Sequence, residues 1–528
     1  MAKTRPVLKI ILDGFGKNPL KDGNAVYYSK TPTLDYFLRN YPYAVIEASG
    51  MAVGLPWGEV GNSEVGHTNL GSGQVIYQNL PRISLSIENK TFYKNSVLLD
   101  ACARAKKNKG ALHLMGVVSN GGVHSHIEHL DALLFLAREQ KVPSVFVHAF
   151  LDGRDTAPTA GVIFLETLED VMKTTKVGKL ASVIGRYWSM DRNNNWDRTQ
   201  KAYALMTEGS GTESQNVIET VKAAYAAGKN DENMDPIVMT DGKGNAVGNI
   251  KDGDVVIFFN FRPDRARQIA RAFVAPVFDG FPRSKKLDIH FVGMMQYEAA
   301  LHLPVVFPPQ DISLPVGKVI SEAGKKQLRI AETEKYAHVT YFYNGGVENP
   351  FEGEEHIMVP SPNVESYDQV PKMSSGEVTD KLIDAIRTGD HDFILLNYAN
   401  PDMIGHTGNW DACIETIEAT DGHLKRLYDE FVVAKNGIML ILADHGNIEV
   451  MIDPITGRIH KEHTSNPVGV FLVDRTRKYD KPEDLIEIQK LDMTAIGILA
   501  DIGPTILDML DIPKPPEMTG RSIKNDCV

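Results

Sequence analysis

The sequence has few cysteines: only Cys102, Cys413 and Cys527 among 528 residues. Their spacing matches no zinc-binding pattern and three thiols build no disulfide framework, so a cytoplasmic protein is expected rather than a disulfide-stabilised secreted scaffold. Apolar runs of about 20 residues, which a membrane-spanning helix needs, are missing. The apolar run near the start is interrupted by Lys9 and ends at Asp13, which is too short for the core of a signal peptide.

Positive charge is also scarce, because 56 Lys and Arg face 68 Asp and Glu, for a formal net charge of −12. Such a chain is poorly suited to nucleic acid or anionic membranes, so neither partner is expected. An anionic small-molecule substrate stays open, because the local field of a site can oppose the global charge. The composition is 43% hydrophobic and 23% charged, which is typical of a globular protein, and 528 residues predict at least two domains.

Short β-branched runs alternate with helical patterns along the chain, which predicts an α/β fold with largely parallel sheets. Two helices are predicted at Gly376–Arg387 and Asp411–Phe431, and the segments Phe307–Pro315 and Asn79–Ser84 are interpreted as linkers. The predicted strands are Val7–Leu12, Leu112–Val118, Ser144–Ala149, Leu180–Ile184, Val255–Phe259, Phe393–Tyr398 and Ile438–Ala443.

Residues 61–73, GNSEVGHTNLGSG, place Ser63 in a glycine-rich stretch. The stretch matches neither the phosphate loop G-x-x-x-x-G-K-[ST] nor the nucleophile elbow G-x-S-x-G, because Val65 replaces the second glycine. Its composition predicts a loop rather than a helix or a strand. Ser63 is therefore either a turn residue or a nucleophile, depending on which side chains the fold brings to it.

Candidate metal ligands follow the predicted strands, at the sheet edge where α/β proteins bind ligands. Asp402 and His406 are four residues apart, which places them on one face of a helical turn. Carboxylates and imidazoles bind divalent cations, and seven candidates suit two ions better than one tetrahedral ion. A metal-bound serine hydroxyl can lose its proton and act as a nucleophile on phosphorus. The candidates are Asp13, Ser63, Asp402, His406, Asp444, His445 and His463.

Arginines dominate the stretch between the two proposed linkers. A guanidinium binds a carboxylate or phosphate through two parallel hydrogen bonds, so arginines gathered at strand ends predict a substrate that carries both groups. His124 and Asp155 are the titratable neighbours that we place there as acid or base. The arginines are Arg154, Arg186, Arg192, Arg262 and Arg265.

With these motifs in view, the chain closely resembles the cofactor-independent phosphoglycerate mutases, a family of the alkaline phosphatase superfamily of metalloenzymes. The motifs occur in the family's order nearly from end to end: LDGFG, LPWGEVGNSEVGHTNLGSG, GGVHSHIEHL, FLDGRDT, GRYWSMDR, NWDRT, FNFRPDRARQI, AETEKYAHVTYFYNGG, NYANPDMIGHTG, ADHGN, HTSNPV and KPPEMTGRS. The resemblance implies an alkaline-phosphatase-like three-layer α/β domain with a mainly parallel sheet, interrupted by an inserted second α/β domain. The implied boundaries are 1–78 and 314–528 for the metal-binding domain, 82–308 for the transferase domain, and 79–81 and 309–313 for the hinges.

The resemblance also implies a role for each site residue. Ser63 is expected to carry the phosphoryl group, Asp155 to act as the base and Lys335 to stabilise the transition state. One metal is assigned to Asp13, Ser63, Asp444 and His445, and the other to Asp402, His406 and His463. Substrate contacts are assigned to His124, Arg154, Asp155, Arg186, Arg192, Arg262, Arg265, Glu334 and Lys335.

The function implied is the interconversion of 3-phosphoglycerate and 2-phosphoglycerate in glycolysis and gluconeogenesis, without bisphosphoglycerate. Two divalent ions per chain are expected. Manganese is the favoured metal, and magnesium, cobalt and zinc are alternatives. The alternative is a metal-dependent phosphatase or phosphotransferase of the same superfamily, and a third reading is a binding protein that has lost catalysis. Members of the family are typically monomers, so a monomer is expected. Imidazoles must be neutral to bind metal, so activity is expected to be lost on acidification towards about pH 6.

Overall fold

The computed structural model describes residues 5–283, 285–480 and 494–527, and the chain divides into two compact units. Unit 1 combines Met1–Gln78 with Asp311–Val528, and unit 2 is the single stretch Asn79–Gln310. Within the described residues, each unit contains one eight-stranded sheet. Across the three described ranges, no helix has the length and apolar character that crossing a bilayer would require.

The strands are numbered in chain order. The first eight are β1 (Val7–Leu12), β2 (Tyr43–Glu47), β3 (Leu112–Val117), β4 (Val145–Leu151), β5 (Lys179–Gly185), β6 (Thr212–Ser214), β7 (Ile237–Met239) and β8 (Val255–Phe258). The others are β9 (His290–Met295), β10 (Val305–Phe307), β11 (Gln327–Glu332), β12 (Glu354–Val359), β13 (Phe393–Tyr398), β14 (Ile438–Leu442), β15 (Val468–Val473) and β16 (Gly497–Ile498).

The α-helices are numbered in the same way. Those up to the end of unit 2 are α1 (Ala25–Tyr28), α2 (Pro32–Asn40), α3 (Ser63–Ser72), α4 (Asn79–Glu88), α5 (Ser96–Lys107), α6 (Ile127–Glu139), α7 (Gly161–Thr175), α8 (Arg186–Ser189), α9 (Trp196–Glu208), α10 (Val217–Ala226) and α11 (Arg267–Val274). The later ones are α12 (Val316–Glu322), α13 (Thr333–Ala337), α14 (Ser375–Thr388), α15 (Asn400–Gly405), α16 (Trp410–Leu427) and α17 (Ile502–Met509).

The α/β class with mainly parallel sheets is confirmed. All seven predicted strands are present, and their ends lie within two residues of the prediction. The two predicted helices are α14 and α16, and the second continues beyond Leu427 as a π-helix over Tyr428–Ala434. The apolar runs were a good guide because strands that are covered on both faces are apolar at nearly every position.

The sheet of unit 1 has the strand order β12-β11-β13-β1-β14-β15-β2-β16, with β1 near its centre. Strand β1 is parallel to both β13 and β14. Its alternate side chains enter two different cores, Val7 and Ile11 on one face and Leu8 and Ile10 on the other. Helices α3, α12 and α17 contribute to the first core and α2, α14 and α16 to the second, so unit 1 has three layers.

The sheet of unit 2 has the order β10-β9-β8-β3-β4-β5-β7-β6, and among its described strand pairs only β5 and β7 are antiparallel. The adjacent strands β8, β3, β4 and β5 therefore end at one edge. The segments that leave this edge carry the five candidate arginines together with His124 and Asp155.

The prediction of a loop at residues 61–73 is wrong, because this stretch forms helix α3 with Ser63 as its first residue. The side chain of Asn62 caps the helix by accepting a hydrogen bond from Val65 N at 3.0 Å, and Gly73 ends it with a φ of 63°. Its glycines serve close packing: a Cβ at Gly71 would lie 2.0 Å from a backbone oxygen of the neighbouring π-helix region. The glycine content therefore reflects packing and helix termination rather than a flexible loop.

Candidate functional site

Three aspartates lie at the carboxyl edge of the unit 1 sheet. Asp13 follows β1, Asp444 follows β14, and Asp402 lies in α15 just after β13, so three adjacent strands supply them. All three are at least 98% buried. Burial and the neighbouring Asp444 raise the pKa of Asp13, because each buried carboxylate opposes ionisation of the next. The cluster therefore requires cations.

Lys335, from α13 after β11, supplies one of these cations. Its Nζ donates hydrogen bonds of 2.7 Å to Asp13 Oδ1, to Asp402 Oδ2 and to Ser63 Oγ. Burial alone would lower the pKa of this amine, but Asp13 and Asp402 raise it above its ordinary value. Although burial opposes ionisation of Asp402, Lys335 holds the pKa of this carboxyl well below its usual range. A single lysine thus faces three carboxylates.

Ser63 is the hydroxyl at the centre of this cluster. Its Oγ lies 2.7 Å from Lys335 Nζ, 2.9 Å from His445 Nε2 and 3.2 Å from Asp13 Oδ1. As the first residue of α3, Ser63 lies at the positive end of the helix dipole. The site therefore joins a buried hydroxyl to a carboxylate, an imidazole and an ammonium group.

His406 and His463 bring two imidazole nitrogens close to Asp402. His406 Nδ1 lies 2.7 Å from the carbonyl oxygen of Lys461, and His463 Nδ1 lies 2.8 Å from that of Gly61. Because a carbonyl oxygen only accepts, each Nδ1 carries the proton and each Nε2 presents a lone pair. The two Nε2 atoms are 3.0 Å apart and lie 3.4 and 3.3 Å from Asp402 Oδ1.

These converging lone pairs repel one another unless a cation lies among them, and backbone carbonyls that fix the distal imidazole nitrogen are typical of metal-binding histidines. A second set of donors lies beside the first, because His445 Nε2 is 3.5 Å from both Asp13 Oδ1 and Asp444 Oδ2. The donor chemistry fits divalent metal ions. By mutual distance, the donor atoms form the groups Asp402–His445–His463 and Asp13–His67–Asp444.

Unit 2 contains a separate charged cluster. Buried Arg186 donates from Nη1 to Asp152 Oδ1 and to Asp155 Oδ2, both at 2.5 Å. Asp264 lies 3.0 Å from Arg192 Nη1 and 3.2 Å from Arg262 Nε. Carboxylates thus hold three of the predicted arginines in place within this unit.

The field in this cluster is positive. Burial lowers the pKa of Arg265, and repulsion from Arg186, Arg192 and Arg154 lowers it further, so the four guanidinium groups act on one another. Burial and then Arg186 lower the pKa of His124 to about 4. His124 is therefore neutral at neutral pH, and it lies 3.9 Å from a carboxylate oxygen of Asp155. The cluster suits an anion and supplies a neutral imidazole beside a carboxylate.

Two predicted substrate residues lie at the margins of these clusters. The Arg154 side chain is 55% exposed and lies 3.7 Å from Glu232. Glu334 is exposed and accepts a hydrogen bond of 2.8 Å from the Tyr367 hydroxyl, so it does not join the hydrogen bonds around Ser63.

Comparison with known proteins indicates the family of this chain. The family model described as the BPG-independent PGAM N-terminus matches residues 83–299. A 2,3-bisphosphoglycerate-independent phosphoglycerate mutase of Lachnoclostridium phytofermentans is 48% identical over 98% of this chain and 99% of its own length. One from Clostridium perfringens is 47% identical over 99% of both chains. The chain belongs to the family of 2,3-bisphosphoglycerate-independent phosphoglycerate mutases. The crystal structure of the Leishmania mexicana phosphoglycerate mutase at low cobalt concentration matches 98% of this chain and 97% of that chain, with 29% identity and a TM-score of 0.50.

In this member of the mutase family, sequence reasoning missed the residues that hold the others in place. His67 lies one helical turn after Ser63, and a helix assignment for residues 61–73 would have revealed it. Asn397 is a polar residue inside the apolar strand β13, which was a visible signal. Asp264 lies between Arg262 and Arg265 in the sequence, and its charge alone marks it as their partner.

Proposed function

We propose that this chain interconverts 3-phosphoglycerate and 2-phosphoglycerate, with Ser63 carrying the phosphoryl group and without bisphosphoglycerate. The observation that carries the proposal is the buried Ser63 hydroxyl, 2.7 Å from Lys335 and 2.9 Å from His445 at the edge of a parallel sheet. The choice of substrate is supported by the relatives named phosphoglycerate mutase, which align over nearly the whole chain.

The proposal includes two divalent metal ions. Asp13, Ser63, Asp444 and His445 would hold one ion. Asp402, His406 and His463 would hold the other. Bound there, the ions would favour the deprotonated serine and shield the charge of the phosphoryl group. Mixed oxygen and nitrogen donors suit manganese, which we place first, and also magnesium, cobalt and zinc.

Ser63 Oγ gives up its proton and attacks the phosphorus of the substrate. The bond from phosphorus to the glycerate oxygen breaks, and that oxygen takes up a proton. Lys335 Nζ already donates to Ser63 Oγ, so the same ammonium group can neutralise charge on a phosphoryl oxygen attached there. The helix α3 adds its positive N-terminal end at the same residue. These groups stabilise the transfer without rearranging the buried cluster.

Unit 2 would hold the glycerate between the two transfers, as the transferase domain of residues 82–308. The hinges would lie at 79–81, which is the first turn of α4, and at 309–313. Arg186, Arg192, Arg262 and Arg265, with the more exposed Arg154, suit its carboxylate. Asp155, which Arg186 orients at 2.5 Å, accepts the proton of the free hydroxyl. That oxygen then attacks the phosphoserine and regenerates Ser63.

The test compares Ser63→Ala with Ser72→Ala, whose buried hydroxyl in the same helix bonds only to the backbone. With metal and 3-phosphoglycerate, coupled to enolase, Ser63→Ala should lose at least about a thousandfold in activity and Ser72→Ala should retain it. Mutase activity in Ser63→Ala would eliminate the phosphoserine route. Phosphate released by the wild type as fast as substrate disappears would indicate a phosphatase instead.

We further propose that the enzyme works in the cytoplasm as a monomer, without nucleic-acid or membrane partners. The acidic charge balance of −12 supports the absence of anionic polymers as partners. Light scattering on the purified protein should give a mass near 58.4 kDa, and about twice that mass would refute the monomer.

A further inference from the structure

We propose that His67 and Asn397 are positioning residues that fix which carboxylate oxygen of Asp13 faces the metal ions, without binding metal themselves. The proposal rests on the proposed function, because it concerns the same metal site. Both residues are fully buried, and no assigned step of the reaction uses either of them.

The tautomer of His67 follows from its contacts. Its Nδ1 lies 2.9 Å from the carbonyl oxygen of Ser63, which can only accept, so Nδ1 carries the proton. Its Nε2 lies 3.0 Å from Asn397 Nδ2 and accepts a hydrogen bond from that amide. Both ring nitrogens are therefore engaged.

Asn397 passes this order on to Asp13. Its Nδ2 donates one hydrogen to His67 Nε2 at 3.0 Å and the other to Asp13 Oδ2 at 2.8 Å. The reversed amide would place its oxygen against the carboxylate, so the contacts fix its orientation. A single hydrogen-bonded chain thus runs from the Ser63 carbonyl through His67 and Asn397 to Asp13.

This hydrogen-bonded chain decides which oxygen of Asp13 faces Ser63. Because Asn397 occupies Asp13 Oδ2, the other oxygen, Oδ1, faces Ser63 Oγ at 3.2 Å. Asp444 Oδ1 accepts a hydrogen bond from Gly14 N at 3.3 Å. Asp444 Oδ2 lies 3.2 Å from the protonated Nδ1 of His67, so the imidazole contacts this carboxylate as well. We therefore assign Oδ1 as the metal-binding atom of Asp13.

The competing interpretation is that His67 is itself a ligand, since its donor atoms group with those of Asp13 and Asp444. The contrast with His406 and His463 argues against it. Those rings turn a protonated Nδ1 to a carbonyl and leave Nε2 open towards Asp402, whereas the Nε2 of His67 already accepts from Asn397. Metal binding by His67 would break this link.

The experiment uses variants that each remove one link. His67→Asn keeps an amide donor near the Nδ1 position and loses the acceptor for Asn397, whereas His67→Gln keeps a polar atom near Nε2. Asn397→Leu removes the contact with Asp13 at similar volume. The control is Thr68→Ala, a half-buried neighbour on α3 whose hydroxyl bonds only to the backbone. Affinity for Co²⁺ is measured by calorimetry on the full chain, and the visible spectrum of the Co²⁺-loaded protein reports its ligands.

We expect the three variants to bind Co²⁺ about 10- to 100-fold more weakly than the wild type, with band positions unchanged, and Thr68→Ala to match the wild type. The double variant His67→Asn/Asn397→Leu should bind Co²⁺ no more weakly than the weaker-binding of its two single variants, because both substitutions break the same series of hydrogen bonds. Melting curves in EDTA check folding, and His67→Gln keeps the test available if His67→Asn does not fold.

Two results would overturn the inference while the wild type binds Co²⁺. Affinities within twofold of the wild type in all three variants would show that the chain positions nothing. Shifted Co²⁺ bands in both His67 variants would make His67 a ligand. A wild type that binds no divalent metal would instead refute the proposed function.

Discussion

Replacing Lys335 by methionine should destabilise the metal-free protein while strengthening its affinity for metal ions. Lys335 Nζ makes hydrogen bonds of 2.7 Å to Asp13, Asp402 and Ser63, and it is buried with them. Methionine preserves most of the length of the side chain and removes only its charged end. The change therefore isolates the electrostatic contribution of the lysine.

The magnitude follows from the buried charges that remain. Removing one partner of a buried ion pair usually costs about 3–5 kcal/mol, because the other charge stays desolvated and unpaired. Lys335 pairs with two carboxylates at 2.7 Å, so we expect the metal-free variant to lose about 3–5 kcal/mol in free energy of unfolding. Metal ions compete with this ammonium group for Asp13 Oδ1, so its removal should tighten metal binding.

The loss should depend on pH. In the wild type, Lys335 holds the pKa of Asp402 well below its ordinary value despite burial. Without the lysine, burial and mutual repulsion raise the carboxyl pKa values above those of the unfolded chain. The folded variant then binds more protons than the unfolded one, so its stability falls as pH rises. The difference in free energy of unfolding between wild type and variant should increase from about pH 5 to about pH 8.

Urea denaturation in EDTA measures the stability, and hydrogen exchange in peptides that cover β1 assigns the loss to unit 1. Lys318→Met is the matched control, because this half-exposed lysine pairs with Glu322 at 3.9 Å and should change stability by less than about 1 kcal/mol. A metal-free Lys335→Met protein within about 1 kcal/mol of the wild type would refute the account of the cluster.

Three other changes test different parts of the structure. Lys9 is fully buried, and its amine has no hydrogen-bond partner among the described residues. Lys9→Met should therefore raise the free energy of unfolding by about 1–3 kcal/mol and slow amide hydrogen exchange in β1. Burial lowers the pKa of Lys9, so this gain should shrink as pH rises towards about 10, and exchange as fast as in the wild type would contradict it. Gly71→Ala should cost more than about 3 kcal/mol in thermal unfolding because its Cβ would lie 2.0 Å from a backbone oxygen, whereas Gly422→Ala in α16 meets nothing within 4 Å and should stabilise by about 0.5–1 kcal/mol. Asp402 raises the pKa of His406, and it outweighs burial in raising the pKa of His463, so protons compete with metal ions for both imidazoles. Metal affinity measured by dialysis should therefore fall by up to about a hundredfold per pH unit on acidification. An affinity that does not change with pH would exclude both imidazoles as ligands.

The strands could be predicted because their apolar runs are long and covered on both faces. The fully buried strand VLKIIL of β1 was predicted residue for residue, even with a lysine inside it. Helix α3 could not be predicted from composition alone. Its glycines are typical of loops in isolation, and only the neighbouring chain explains why Gly66 and Gly71 must lack a side chain.

The positioning residues show the same limit. His67 and Asn397 are 330 residues apart in the chain, yet their nitrogens lie 3.0 Å apart. Local spacing contains no signal for such a pair, because a long-range hydrogen bond depends on strand order and on the way a helix packs on the sheet. A polar residue inside an apolar strand indicates only that some partner exists.

The kinds of donor, their places after apolar strands and the α/β class could all be predicted, because they follow from local periodicity and side-chain chemistry. The tertiary structure decided the rest. The order β13-β1-β14 brings Asp402, Asp13 and Asp444 to one edge, and backbone carbonyls turn the Nε2 atoms of His406 and His463 inward. The physical reason is that strand order and imidazole orientation are set by contacts between distant parts of the chain.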